Sequence, residues 1–257
     1  MSEWSSEQYL KFKNQRTQPA IDLARRIADK NPRTVLDIGC GPGNSTAVLQ
    51  NVFPHADILG IDSSADMITK AKETYKDMKF EICDVNTELD KLGKYDIIFS
   101  NACLQWVPNH TEFIPRLIEK LNNNGVLAVQ MPRNTEEPLF KIMDSVVKKP
   151  DWGFDSSSLE RTETYAPEEY YDILSLCADK VDIWETIYNH IMPDVNAMVE
   201  WIKGTRLRPY LNALDTEKAD RLVKEITDKA IPEYTPQANG MIIFKFKRLF
   251  FTAEKSK

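Results

Sequence analysis

Residues 35–46, VLDIGCGPGNST, decide how the rest of the chain reads. An apolar run carrying one acid, Asp37, meets three glycines at positions 39, 41 and 43, and hydroxyl side chains suited to opening a helix follow. A strand that ends in a glycine turn and continues as a helix is the opening βα unit of a parallel sheet; in such open sheets the ligand sits at the carboxyl ends of the strands. Glycine permits positive φ there and lets backbone N–H groups approach a ligand, while the helix N-terminus favours an anionic group. No Gly-Lys-Ser/Thr follows, so the turn is not a P-loop.

Working outward, short β-branched or aromatic runs alternate with helical patterns from Arg33 to Met131: RTVLDIG (33–39), ADILGID (56–62), MKFEICD (78–84), YDIIFSN (95–101) and GVLAVQM (125–131). This is the signature of a doubly wound parallel sheet, its strands buried on both faces. Ser63 and Asp66 have capping-box spacing ahead of MITKAKETY, Pro19 stands at the opening of PAIDLARRIADK, and the NNNG run before Gly125 supplies left-handed residues to end a helix.

Beyond Pro132 the pattern loosens. A charged, Pro- and Ser-rich stretch over 133–165 holds one helix around LFKIMDSVV; PEEYYDILSLC reads as a helix and KVDIWETIYNHIM as a long strand. Two amphipathic helices, VNAMVEWIKG and TEKADRLVKEITDKA, precede a closing strand, GMIIFKFKRLFFTAE, whose Lys245 and Lys247 read as edge protection. The expected organisation is an N-terminal helical flap (1–32), a core (33–132), and a region completing the sheet (133–257) with a helical lid over about 193–235.

Composition narrows the function. With 42% hydrophobic residues in 257, the chain can build an α/β domain of about 150 residues and a smaller accessory region. The opening MSEWSSEQYLKFKNQR has no apolar signal core and no run of about 18 apolar residues occurs, which predicts a cytoplasmic protein without membrane partners. Cys40, Cys83, Cys103 and Cys177 lie far apart, without C-x-x-C or a histidine at ligand spacing, and read as reduced and mostly buried, with no metal site. A net charge of −6 argues against nucleic acid as a partner; oligomeric state is not legible.

Acids then separate the cofactor classes. Asp62 ends the second strand about 20 residues past the turn, where a carboxylate accepts ribose hydroxyls, which suits NAD and S-adenosylmethionine alike. Asp37 precedes the first glycine and is counted with the cofactor-binding residues, and Asp84 ends the third strand, placed to accept an adenine amino group as a compact single-nucleoside ligand needs. LDIGCGPGNST, GIDSS, CDVNT and SNACLQWVPNH, in this order and spacing, resemble the class I S-adenosylmethionine-dependent methyltransferases. With GVLAVQMP, YYDIL, VDIW, LRPYL and the opening YLKF…R…PA, the similarity extends over nearly the whole chain to the trans-aconitate methyltransferase family.

That resemblance implies a class I methyltransferase fold: a seven-stranded, mostly parallel, Rossmann-like sheet with the last strand antiparallel, plus a small helical lid. It also implies the donor contacts: Gly39, Gly41 and Asn44 near the amino-acid part, Asp62 and Ser63 at the ribose, Asp84 and Val85 at the adenine, Asn101 and Ala102 beside the methionine portion, and Arg16 at the donor carboxylate. Tyr9, with Phe12, would belong to a flap over the donor, and Tyr9 is expected to contact the substrate. Gln105 and Trp106 follow the fourth strand, where an acceptor must approach the methyl group, and are the expected positioning residues. The chain departs from the family pattern at Arg206, where a glycine is familiar, and at Arg133, where an acid is expected, which bears on the exact acid accepted.

The implied reaction forms the monomethyl ester of trans-aconitate or a related small polycarboxylic acid. A carboxylate acceptor is already ionised at neutral pH and needs no general base, and no convincing base stands in the sequence. Several carboxylates taken out of water need cationic partners, and Arg206 and Arg208 with Tyr188 and His190 are the candidates; their alternative reading is a solvated pair, a satisfied histidine and a strand aromatic. Lys203, at a helix end before Gly204, reads as a charge on the helix dipole. Three rivals stay open: a carboxyl methyltransferase for a fatty, terpenoid or carrier-bound malonyl acid, a non-catalytic donor-binding protein, and an NAD dehydrogenase.

Overall fold

Val35, Leu36 and Ile38 are at most 1% exposed because their strand lies inside a sheet, with strands on both sides and helices over the faces. The computed structural model describes residues 13–154 and 162–256, with side chains from residue 17. Its strands are β1 (Thr34–Ile38), β2 (Asp57–Asp62), β3 (Lys79–Ile82), β4 (Tyr95–Asn101), β5 (Leu121–Pro132), β6 (Lys180–Met192) and β7 (Ile242–Glu254). Among the described residues they form one seven-stranded sheet in the order β3-β2-β1-β4-β5-β7-β6. β1 to β5 are parallel, with Ile38 beside Ile61 on one side and Ser100 on the other, so the carboxyl ends of β1, β2 and β4 come level. β7 runs against β5: the Arg133 N–H donates to Lys247 O and, at the other end, the Lys255 N–H donates to Gly125 O. The strand order reverses at β1 and β4, which marks the crevice where such sheets bind ligands.

The described chain forms two units. The first comprises 13–132, 163–186 and 249–256; the second comprises 133–154, 162 and 187–248. The chain thus leaves the first unit after Pro132, returns to it twice, and interleaves the expected C-terminal region with the core.

In the first unit α1 (Lys13–Arg26), α2 (Asn44–Val52), α3 (Ala65–Thr74), α4 (Val85–Glu88), α5 (His110–Glu119) and α7 (Pro167–Ser175) flank the strands; α6 (Pro138–Val147) belongs to the second unit. Leu36, Ile98, Leu117, Leu127, Tyr170 and Phe251 belong to one core cluster. His110, fully buried at the start of α5, is satisfied by Tyr170 Oη at 2.7 Å and Leu104 O at 2.8 Å. The second unit also carries α8 (Val195–Lys203), α9 (Arg208–Asn212) and α10 (Thr216–Ala230); α10 packs on α6 and α8, and Phe140 of α6 stacks on Phe244 of β7.

Several local expectations change. Helix α3 is capped by Ser64, whose side chain accepts the Met67 N–H, and not by Ser63. Pro19 lies inside α1, where the stripe Ala20, Leu23, Ala24 and Ile27 is buried and outweighs one lost helical hydrogen bond. The NNNG run forms a bulge in β5: Tyr95 pairs with Leu121 and Ile97 with Val126, while Asn124 takes φ 60 and Asn122 Nδ2 donates to Asp96. Lys245 and Lys247 guard no edge, since β7 runs between β5 and β6. Of the four cysteines, all free, Cys40 is buried and Cys83, Cys103 and Cys177 are half-buried.

Candidate active site

The turn after β1 spends its own donors. The N–H groups of Gly39 and Cys40 both donate to Ile61 O, at 2.8 and 2.9 Å; Gly41 donates to Asp62 Oδ2 at 3.0 Å and Gly43 to Cys40 O at 3.0 Å. All three glycines take positive φ: 70, 54 and 90. The turn therefore offers space and not a cradle of N–H groups. A side chain on Gly39 would collide with Cys103 Cβ and Sγ, so this strand end and the one after β4 pack backbone against side chain without room for a methyl.

Asp37 works behind this turn. It is fully buried, and its Oδ2 accepts Ser45 Oγ and Thr46 Oγ1, each at 2.7 Å, which fastens the first turn of α2 to β1. Burial pushes its carboxyl from 3.8 up to about 6, against the two hydroxyl hydrogen bonds that pull it down. Asp37 does not line the cleft described next, and neither does Asn44, whose Oδ1 accepts the Tyr75 hydroxyl at 3.2 Å.

At the carboxyl ends of β1 to β4 lies a cleft that opens to solvent. Gly39 and Gly41, Asp62 and Ser63, Asp84 and Val85, Asn101 and Ala102, and Trp106 all line it. Asp62 is held by the N–H groups of Gly41 and Ser64, and burial raises its carboxyl above the usual range. Asp84 Oδ1 accepts from the Asn86 N–H and Nδ2 at 3.0 Å, which opens α4 and fixes the carboxylate at the cleft. Asn101 Oδ1 is buried without a hydrogen-bond partner among the described residues.

Gln105 is not part of the lining. It is buried, its Nε2 donates to Ala102 O at 2.8 Å, and its carbonyl takes the Glu163 N–H at 2.7 Å. Its amide braces Ala102, which holds φ 54, so it shapes the turn that presents Trp106. Tyr9 lies outside the described residues, as does the side chain of Arg16 in α1.

The acid-side candidates lie in the second unit. Arg206 Nη2 meets both oxygens of Asp144, at 3.0 and 2.8 Å, with its Cζ 5.5 Å from the centre of the Phe140 ring. Arg208, at the start of α9, is buried. Tyr188 and His190 stack on β6, their ring centres 6.4 Å apart. Lys203 pairs with Glu200 one helical turn back, so its charge is partly met within α8.

A family model described as a methyltransferase domain matches residues 29–194. The trans-aconitate 2-methyltransferase of Rhodopseudomonas palustris (strain BisB5) is 40% identical over 99% of this chain and all of its own length, and that of Afipia carboxidovorans is 42% identical over 97% and 98%. The chain belongs to the trans-aconitate 2-methyltransferase family. For this family member the fold is also met in more distant proteins. The YcgJ protein of Bacillus subtilis, 14% identical, aligns over 93% of this chain and 99% of its own with a TM-score of 0.61. Phosphoethanolamine N-methyltransferase 2 of Haemonchus contortus, solved in complex with S-adenosyl-L-methionine, is 18% identical and aligns over 93% and 53% with a TM-score of 0.56.

Sequence reasoning passed over part of the methyltransferase cleft. Ile38, Ile61, Met67, Cys83, Asn86, Cys103 and Val107 line it as well. Met67 follows from helical geometry, being on the first turn of α3; the apolar strand residues look in sequence like any other core residue.

Proposed function

We propose that the protein transfers a methyl group from S-adenosylmethionine to one carboxylate of trans-aconitate or a related small polycarboxylic acid, yielding a monomethyl ester and S-adenosylhomocysteine. The observation that carries the donor assignment is the hydrogen-bond accounting of the glycine turn. A dinucleotide would place a pyrophosphate on free N–H groups at this turn; here those of Gly39, Cys40, Gly41 and Gly43 are committed within the protein. What remains is a cleft with acids at the ends of β2 and β3 and little positive charge in its lining, which fits a nucleoside bearing a sulfonium and an ammonium.

The buried Asn101 Oδ1 supplies an acceptor for that ammonium, Asp62 and Ser63 take the ribose hydroxyls, and Asp84 with Val85 takes the adenine. When bound, the donor supplies an electrophilic methyl group on a positively charged sulfur. The chain's residues supply placement. Trp106 on the cleft wall, presented by the turn that Gln105 braces, orients the acceptor opposite the sulfur. An ionised carboxylate attacks without losing a proton, so no base is required. Well-oriented reactants can gain roughly 7–11 kcal/mol from proximity alone. Arg208, Tyr188 and His190 are the acid-side residues; Arg206, its guanidinium engaged by Asp144, serves the fold of the second unit.

The deciding experiment offers labelled donor with a panel of di- and tricarboxylic acids and of fatty acids. Multiple turnovers of methyl ester on a tricarboxylate support the reading. Methylation of none of them, or of the apolar acids in preference, overturns it.

A further inference from the structure

Two of the three non-glycine residues with left-handed φ among the described residues, Ala102 at 54 and Asn109 at 57, bracket one short loop that runs from the end of β4 to the start of α5. Trp106 and Val107 on that loop line the cleft, and so do Ala102 and Cys103. A left-handed conformation strains a residue that has a Cβ, and it persists where surrounding contacts over-determine it. At the first end the Ala102 N–H donates to Gln130 O at 2.9 Å, and Gln105 Nε2 donates to Ala102 O at 2.8 Å. At the far end Asn109 opens α5 without a side-chain cap, and its O accepts the N–H groups of Glu112 and Phe113. Its own N–H is met from a distant part of the chain: Glu163 Oε2 accepts it at 3.0 Å.

Glu163 meets the loop a second time. Its N–H donates to Gln105 O at 2.7 Å, so one residue ties together positions 105 and 109, on either side of Trp106 and Val107. The segment that carries it is itself fixed: Thr164 Oγ1 donates to Pro132 O at 3.3 Å, the Tyr165 N–H donates to Tyr170 Oη at 3.3 Å, and the Tyr165 ring stacks on that of Tyr170 with centres 5.5 Å apart. His110 joins the same base, with Nε2 on Leu104 O and Nδ1 on Tyr170 Oη. All of these residues belong to the first unit, which holds the cleft. A loop strained at both ends and clamped across its middle presents its cleft side chains in one arrangement. A shift of about 1 Å there is enough to slow an in-line transfer on the order of 100-fold.

We infer that Glu163 is a positioning residue for methyl transfer: by bridging Gln105 and Asn109 it holds the loop that sets Trp106 and Val107 against the reacting groups. This rests on the reading of that wall as the place where the acceptor meets the donor. The carboxylate acts here as a hydrogen-bond acceptor, so reach and an oxygen atom matter more than charge, and an amide oxygen at the same place serves.

The variants that test it are Glu163→Ala, which removes the acceptor for the Asn109 N–H, Glu163→Gln, which keeps one, and Glu163→Asp, which keeps the charge and shortens the reach by one methylene. Single-turnover methylation, with enzyme in excess of labelled S-adenosylmethionine and trans-aconitate saturating, gives the transfer rate. Titration with S-adenosylhomocysteine gives the donor affinity, melting temperature reports the fold, and hydrogen exchange of the S-adenosylhomocysteine-bound protein reports the order of residues 105–109. Glu163→Ala is expected to lower the transfer rate on the order of 10- to 100-fold, with donor affinity nearly kept and exchange over 105–109 accelerated. Glu163→Gln stays close to the wild type in every measurement, and Glu163→Asp falls between. If Glu163→Ala does not fold, Glu163→Asp against Glu163→Gln reads the same contrast. An unchanged transfer rate in folded Glu163→Ala overturns the inference and leaves the function reading standing, and so does an equal loss in Glu163→Ala and Glu163→Gln. A wild-type protein that binds S-adenosylhomocysteine but methylates no acid overturns the function reading; exchange over 105–109 then decides the clamp, and exchange unaltered in Glu163→Ala overturns it as well.

Discussion

Asp62 accepts the Gly41 N–H through Oδ2 at 3.0 Å while its Oδ1 takes the Ser64 N–H at 2.9 Å, so a single carboxylate at the end of β2 ties the glycine turn to the start of α3. The same carboxylate lines the cleft. Ligand affinity and local order are therefore coupled at this residue. Asp62→Ala is expected to weaken S-adenosylhomocysteine binding on the order of 100-fold, the loss of a charge-assisted contact plus a loosened turn. Asp62→Asn, which keeps one acceptor oxygen, falls between. Calorimetry on the three proteins checks the order; equal affinities would contradict the coupling.

Gly39 and Cys103 set a second test. A Cβ at Gly39 meets the Cys103 side chain and also strains a backbone at φ 70. Gly39→Ala should cost about 3 kcal/mol or more of unfolding free energy, combining steric conflict with left-handed strain of about 1 kcal/mol. Adding Cys103→Gly removes the conflict and not the strain, so a urea-denaturation double-mutant cycle is expected to show clear positive coupling. Cys103→Ala, which retains Cβ, should rescue little.

The carboxyl of Asp37 titrates near 6 in the fold against 3.8 for the free group, because burial disfavours its charge. The native state thus holds an extra proton between these values, so the contribution of this group to stability is full below about pH 4 and is lost as pH rises to about 6. At about 1.4 kcal/mol per unit the loss is on the order of 2–3 kcal/mol. Asp37→Asn cannot titrate and retains an acceptor for Ser45 and Thr46. Urea unfolding of both proteins at pH 4 and pH 7 is expected to show the difference between them shrinking in the wild type's disfavour by that amount; a pH-independent difference refutes the assignment.

Arg206 and Asp144 form a part-buried pair over Phe140, with side-chain exposures of 25% and 30%. Arg206→Ala and Asp144→Ala should each lower stability by about 1 kcal/mol, with the double variant losing less than the sum. The KM for the acid should stay within about threefold in both. A large KM increase confined to Arg206→Ala would assign that guanidinium to the substrate instead.

How much of this was legible follows from the range of each signal. VLDIGCGPGNST announces a strand, a turn and a helix because those choices depend on neighbours a few residues away, and β1 and α2 form there. Asp62 and Asp84 could be placed at strand ends from spacing, and both line the cleft. Asp37 could not be told from them: its hydroxyl partners, eight and nine residues on, draw it away from the cleft and behind the turn. Gln105 and Trp106 are adjacent in sequence, yet one braces Ala102 and the other faces the cleft. Arg248 in KFKRLFF reads as one more strand charge, yet it is buried, with its guanidinium carbon near the Phe246 and Tyr188 rings.

By itself the sequence determined an α/β sheet with a glycine turn at its first crossover and acids closing the next two strands, because period, turn chemistry and strand length are local properties of the chain. Tertiary structure decided which donors of that turn were already spent, that β7 enters the sheet between β5 and β6, and that Asp37 is held behind the turn by Ser45 and Thr46. Those outcomes depend on pairings between residues far apart in the chain, whose energies are settled when distant segments compete for the same hydrogen bonds and the same buried volume.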